Sequence, residues 1–197
     1  MWRRCQPLST VDELMDLITG PNNGHGALPT EPYNEVYPGL FVGNAVTALS
    51  TGTLRELGIT HVLNAALGRR NSIYQGYVST SSTYYQHAKI QFLGLHAMDL
   101  YTFPMTPLFS EASDFIDAAL LNNGKVLVHC REGISRSATI AIAFLMLRRH
   151  FTVQEAVTQV RANREIYPNE GFLKQLVDLN DKLYWEKKNS GLHSRTV

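Results

Sequence analysis

The chain has 197 residues, 44% of them hydrophobic, which is one domain's worth with enough apolar material for a core and excludes intrinsic disorder as the main state. Its two cysteines, Cys5 and Cys130, are too few for a disulfide framework or a four-cysteine zinc site. Eighteen Lys and Arg against 17 Asp and Glu leave a formal charge of +1, without the basic excess of a nucleic-acid binder.

Met1-Trp2-Arg3-Arg4 opens like a signal peptide, but Asp12, Glu13 and Asp16 stand where such a peptide needs an unbroken apolar stretch. There is no Asn-x-Ser/Thr sequon, and the expected location is a reducing one, cytoplasmic or nuclear. Thr10-Val11-Asp12-Glu13 is a Thr-x-x-Glu capping box ahead of Leu14, Met15, Leu17 and Ile18 and predicts a short amphipathic helix. Gly20-Pro21-Asn22-Asn23-Gly24-His25-Gly26 is turn chemistry. Residues 1–28 are therefore read as an N-terminal appendage, 29–186 as the main domain and 187–197 as a flexible tail.

Glu35–Gly43 reads as a hairpin around Pro38-Gly39, and a helical stretch near Ala48–Leu57 closes at Gly58. Thr60–Ala66, Ile90–Leu95 and Lys125–His129 are short apolar runs rich in strand formers, each next to a helical pattern. They predict an α/β domain with a central, mostly parallel sheet and helices on both faces. Gly68–Gln86 is polar and predicts a long surface loop. Helical patterns then cover Pro107–Asn122, Ser137–Arg149, Thr152–Asn163 and Glu170–Lys188. The longest apolar run, Ala138–Leu147, falls well short of the roughly 20 residues of a membrane span, so a buried core helix and no membrane association are expected.

The chemistry lies in Val126-Leu127-Val128-His129-Cys130-Arg131-Glu132-Gly133-Ile134-Ser135-Arg136-Ser137, a buried strand, a loop and the start of the apolar helix. A strand-loop-helix junction aims successive backbone N–H groups and the positive end of the helix dipole at one point, which suits phosphate. Cys130 stands at the start of that loop, in a field that favours its thiolate. Arg136 can return to the same point as a planar fork for two phosphoryl oxygens, and Gly133 lets the backbone turn inward. The amides of Arg131, Glu132, Gly133, Ile134, Ser135 and Arg136 are the expected phosphate cradle.

His129-Cys130-x5-Arg136-Ser137 resembles the signature of the cysteine-dependent protein tyrosine phosphatase superfamily, and within it the small, atypical dual-specificity phosphatases of the VHR type. The resemblance spans Pro29 to Leu183 and includes Asn34-Glu35-Val36, Leu57–Ala66, Asn163-Arg164-Glu165-Ile166 and Pro168–Leu173. It implies a single protein-tyrosine-phosphatase-like domain that hydrolyses phosphotyrosine and phosphoserine or phosphothreonine on proteins, with activated kinase loops of the MAP-kinase type as candidate substrates, and needs no cofactor or metal. Cys130 would be the nucleophile and Arg136 the phosphate clamp. Asp99 matches the family's general acid, which lies about 30 residues before the cysteine. Ser137 would donate to the departing sulfur, His129 would brace the loop, and Arg164 would line the cleft and take a second phosphate. Arg69 and Arg70 are weaker substrate-binding candidates, and Asn169-Glu170-Gly171-Phe172 reads as a helix cap and packing unit. Ile134 stands where some relatives carry an aromatic, and Glu132 disfavours highly charged inositol phosphates. Two other readings stay open: a phosphoprotein-binding pseudophosphatase, and a lipid or RNA-end phosphatase. The oligomeric state is not readable from the sequence.

Overall fold

A computed structural model describes residues 9–68 and 76–193. In chain order the elements are α1 (Val11–Thr19), β1 (Tyr33–Tyr37), β2 (Leu40–Gly43), α2 (Ala45–Leu49), α3 (Thr51–Glu56), β3 (His61–Asn64), α4 (Ser82–Tyr85), β4 (Gln91–Gly94), α5 (Thr106–Leu121), β5 (Val126–His129), α6 (Arg136–Arg149), α7 (Val153–Asn163) and α8 (Glu170–His193). The five strands lie in the order β1-β2-β5-β3-β4. The β1–β2 hairpin is antiparallel and every other pairing is parallel.

Strand side chains alternate between faces, so each central strand supplies both sides of the sheet. Leu40, Val42, Leu63, Val126 and Val128 enter the larger core, under α1 and α5 to α8. Phe41, Val62 and Leu127 enter a smaller one closed by Ala48, Leu54 and Tyr85. Helices on both faces of a mostly parallel sheet are what the strand runs predicted. Helix α6 is buried from Arg136 to Met146, as expected of an apolar run with no polar face. Its last turn ties to α5 through Arg148–Asp114 and Arg149–Asp117 ion pairs.

Three expectations change. The Thr10–Glu13 capping box forms, but α1 does not stand off as an appendage: Leu14 and Ile18 are fully buried in the larger core, and Arg161 Nε donates to Ile18 O at 2.7 Å. The amphipathic stripe that predicted a helix also supplies the face that buries it. In the predicted loop Gly68–Gln86, the described part from Gly76 onward is partly structured. Val78 bridges Leu67, Ser81 caps α4, and Tyr85 is fully buried with its hydroxyl donating to Ala48 O at 2.9 Å. The polar composition concealed one aromatic that stacks on Phe92. At the other end α8 continues to His193, past the start of the expected tail, with Lys182–Glu186 and Lys188 over Trp185 supporting its exposed turns. Among the described residues no helix is long and apolar enough to cross a membrane.

Candidate active site

Strand β5 ends at His129, and the loop that follows runs into Arg136, the first residue of α6. Its carbonyls are held on their outer side one after another. Ala45 N donates to Arg131 O at 2.9 Å, Arg164 Nη2 to Glu132 O at 3.4 Å, Arg164 Nε to Gly133 O at 2.7 Å and Tyr167 N to Ile134 O at 2.9 Å. A trans peptide carries its C=O and N–H on opposite sides. Each outward carbonyl therefore turns the next amide, from Glu132 to Ser135, toward the inside of the loop. Gly133 N confirms this by donating to Cys130 Sγ at 3.2 Å. Gly133 has φ +72°, and a Cβ on it would sit 2.5 Å from Gly43 O, so the turn requires glycine.

Cys130 is 2% exposed, with its sulfur 3.3 Å from Ser137 Oγ in the first turn of α6. His129 is wholly buried, and burial pushes its pKa down to about 4. Its ring is therefore neutral at physiological pH, and Nδ1 donates to Cys130 O at 3.1 Å. The ring thus holds the backbone of the nucleophile's own residue.

Arg136 is buried and donates from Nη1 to Ala97 O at 3.1 Å and from Nη2 to Gly76 O at 2.9 Å. Its Nε has no hydrogen-bond partner among the described residues and lies 3.5 Å from Asp99 Oδ2. Asp99, on the segment between β4 and α5, is 36% exposed. Its Oδ1 accepts from Ser135 Oγ at 2.8 Å and Asn169 Nδ2 at 3.0 Å, so the carboxyl is aimed at the loop with Oδ2 toward Arg136. Asn169 also caps α8 by accepting from Phe172 N at 3.0 Å. The helix can approach this closely because of Gly171, where a Cβ would fall 1.9 Å from Tyr101 O.

The structure thus gathers Cys130, the loop amides, Arg136, Ser137 and Asp99 at one point, and it does not place Arg164 as expected. That guanidinium is 3% exposed and is spent on Glu132 O, Gly133 O, Glu31 O and Asn34 Oδ1. Burial lowers its pKa to about 10, opposed by the attraction of Cys130, so it remains a cation. Arg69, Arg70 and Cys5 lie outside the described residues. Asn169, read from sequence as a cap, also orients Asp99, and Asn34 holds Arg164. The Asn-Glu-Gly-Phe cap and the Asn-Glu-Val run were the only signals for them.

A cysteine in an amide cradle, faced by an arginine and a carboxyl, defines the cysteine-dependent phosphatase class. The family model for the dual specificity phosphatase catalytic domain matches residues 40–182, and the chain belongs to that family. Similar solved structures include human DUSP28, at 26% identity and TM-score 0.67 over 80% of this chain and 99% of that one. A mouse putative dual specificity phosphatase complexed with zinc tungstate is 27% identical, with TM-score 0.67 over 79% of this chain and 91% of that one. The human tyrosine phosphatase-like serine/threonine/tyrosine-interacting protein is 30% identical, with TM-score 0.65 over 78% and 97%.

Proposed function

We propose that the protein is a protein phosphatase that hydrolyses phosphotyrosine and phosphoserine or phosphothreonine through a cysteinyl-phosphate. The observation that carries this is the convergence on Cys130 Sγ of Gly133 N and Ser137 Oγ, with Asp99 held across the loop. The Cys130 thiolate attacks phosphorus, forming the S–P bond as the P–O bond to the substrate side chain breaks, and Asp99 gives its proton to the departing oxygen. The loop amides and Arg136 hold the three equatorial oxygens. Water then attacks phosphorus and passes a proton to the Asp99 carboxylate. The S–P bond breaks, phosphate is released, and the sulfur leaves as a thiolate stabilised by the Ser137 hydroxyl and the Gly133 amide.

The mouse putative dual specificity phosphatase was complexed with zinc tungstate, and tungstate is a tetrahedral oxyanion like phosphate, which supports a phosphoryl-binding reading of this chain. Glu132, with a 66% exposed side chain on the rim, and the exposed Met98, Leu100, Tyr101 and Tyr167 suit a peptide better than an inositol polyphosphate or an RNA end. The doubly phosphorylated kinase loop loses its expected second-phosphate ligand, because Arg164 is internal. The proposed substrates are therefore phosphoproteins at large, and the proposed compartment is a reducing one, cytoplasm or nucleus, in which Cys130 is kept from oxidation. The pseudophosphatase reading is disfavoured by the complete set of nucleophile, clamp, acid and leaving-group donor. Hydrolysis of an aryl phosphate by wild type and Cys130→Ser tests the proposal: the variant loses about a thousandfold or more. Turnover that survives the change would remove the mechanism, and a folded wild type with none would restore the binding module.

A further inference from the structure

We propose that Arg164 is a positioning residue for the phosphate loop, setting its affinity for any phosphoryl group, rather than a ligand of a second phosphate. The proposal rests on the reading of the Cys130 loop as the phosphate site. Arg164 sits just after α7 and reaches the loop from its outer side, where Nε and Nη2 take the carbonyls of Gly133 and Glu132. Those two carbonyls belong to the peptide units that end in the amides of Ile134 and Gly133. By holding the oxygens out, one planar fork fixes two adjacent N–H groups inward, and one of them donates to Cys130 Sγ.

The guanidinium is fixed from behind as well. Nη1 donates to Asn34 Oδ1 at 2.6 Å and to Glu31 O at 3.1 Å, which ties the loop to the start of the sheet. Unlike Arg136, which enters with the loop itself at the start of α6, Arg164 spends its donors on carbonyls at the loop's outer side. Attraction to Cys130 opposes the lowering of its pKa by burial, so the guanidinium stays charged behind the loop. The other charged or titratable groups around that sulfur are His129 from β5, Arg136 from α6, Asp99 from the β4–α5 segment, and the exposed Arg131 and Glu132, which pair with each other at 3.2 Å. Arg164 is the one of these that grips the loop backbone at two successive residues.

The test uses the full chain, with inorganic phosphate titrated by calorimetry and hydrolysis measured on an aryl phosphate and on one peptide in mono- and doubly phosphorylated forms. Arg164→Ala should weaken phosphate binding about tenfold, the worth of one or two lost charge-assisted hydrogen bonds. It should raise KM for the aryl phosphate as well as lower kcat, and reduce kcat/KM by the same factor on both peptides. Arg164→Lys keeps the charge without the fork and should recover part of the loss. A role in folding alone would lower the active fraction, and so kcat, with KM and phosphate affinity unchanged, and that result overturns the proposal. So does a loss confined to the doubly phosphorylated peptide. Should Arg164→Ala fail to fold, Asn34→Ala leaves the arginine and removes its rear acceptor. A weakening of about threefold in the same measurements is then expected, and unchanged phosphate affinity overturns the proposal. If the wild type hydrolyses no substrate, the phosphatase reading fails while the phosphate titration still decides the role of Arg164.

Discussion

The two walls of the cleft are built in different ways. The nucleophile side, His129 to Ser137, is one continuous run whose shape comes from a strand, a helix start and outward-held carbonyls. The acid side is a single aspartate, 36% exposed, on a segment without regular structure, and its carboxyl is held by Ser135 from the loop and Asn169 from the cap of α8. A backbone cradle has many supports and tolerates the loss of one contact. A carboxyl oriented by only two side-chain hydrogen bonds does not. The acid side is therefore where single substitutions should separate the chemical steps most cleanly.

The largest effect expected on that side is from Asp99→Asn. It should lower kcat by about a hundredfold on a phosphotyrosyl peptide and much less on a substrate whose leaving group needs no proton, with the alkaline limb of the pH profile lost. Equal losses on both substrates would remove Asp99 as the acid and make the two walls one. Asn169→Ala keeps the carboxyl but removes one of its two holders and should cost about tenfold in kcat on the peptide. Its effect should nearly vanish in the Asp99→Asn background, because both changes act on one group. Additive losses in that double-mutant cycle would return Asn169 to a capping role only.

On the nucleophile side the expected effect is one of stability rather than rate. His129 has a pKa near 6.5 in the unfolded chain and about 4 when buried. The unfolded state therefore binds more protons between those values, and folding stability is whole above about pH 6.5 and falls as pH drops toward 4, by at most about 3 kcal/mol. Urea unfolding of the wild type and His129→Gln between these limits measures it. A wild-type slope no steeper than the variant's would show that the ring is not held neutral by the fold.

The contrast between the walls also explains what could be read from the sequence. The nucleophile wall was legible because its determinants are contiguous: an apolar strand, His-Cys-x5-Arg-Ser and an apolar helix. The two-sided sheet was legible for a similar reason, since each strand is a short apolar run. Asp99 became a candidate only through the family resemblance, because nothing near it distinguishes it from a turn aspartate. Its link to Asn169 joins residues 70 positions apart through one side-chain hydrogen bond, which no periodicity reports. Arg164 was expected to line the cleft, and its place behind the loop was not legible because its acceptors include three backbone carbonyls, of Glu31, Glu132 and Gly133, which exist in every sequence. Tyr85 was hidden by its neighbours, for a segment of Ser, Thr and Tyr reads as surface whichever ring turns inward.

Covalent transfer of phosphate to Cys130 is the central claim, and trapping the intermediate tests it most directly. An acid-quenched reaction of the wild type with a phosphotyrosyl peptide, analysed by mass spectrometry, should show phosphate on the Cys130 peptide during turnover and none in Cys130→Ser. Steady release of phosphate with Cys130 unmodified throughout, or with the phosphate on another residue, would contradict the account.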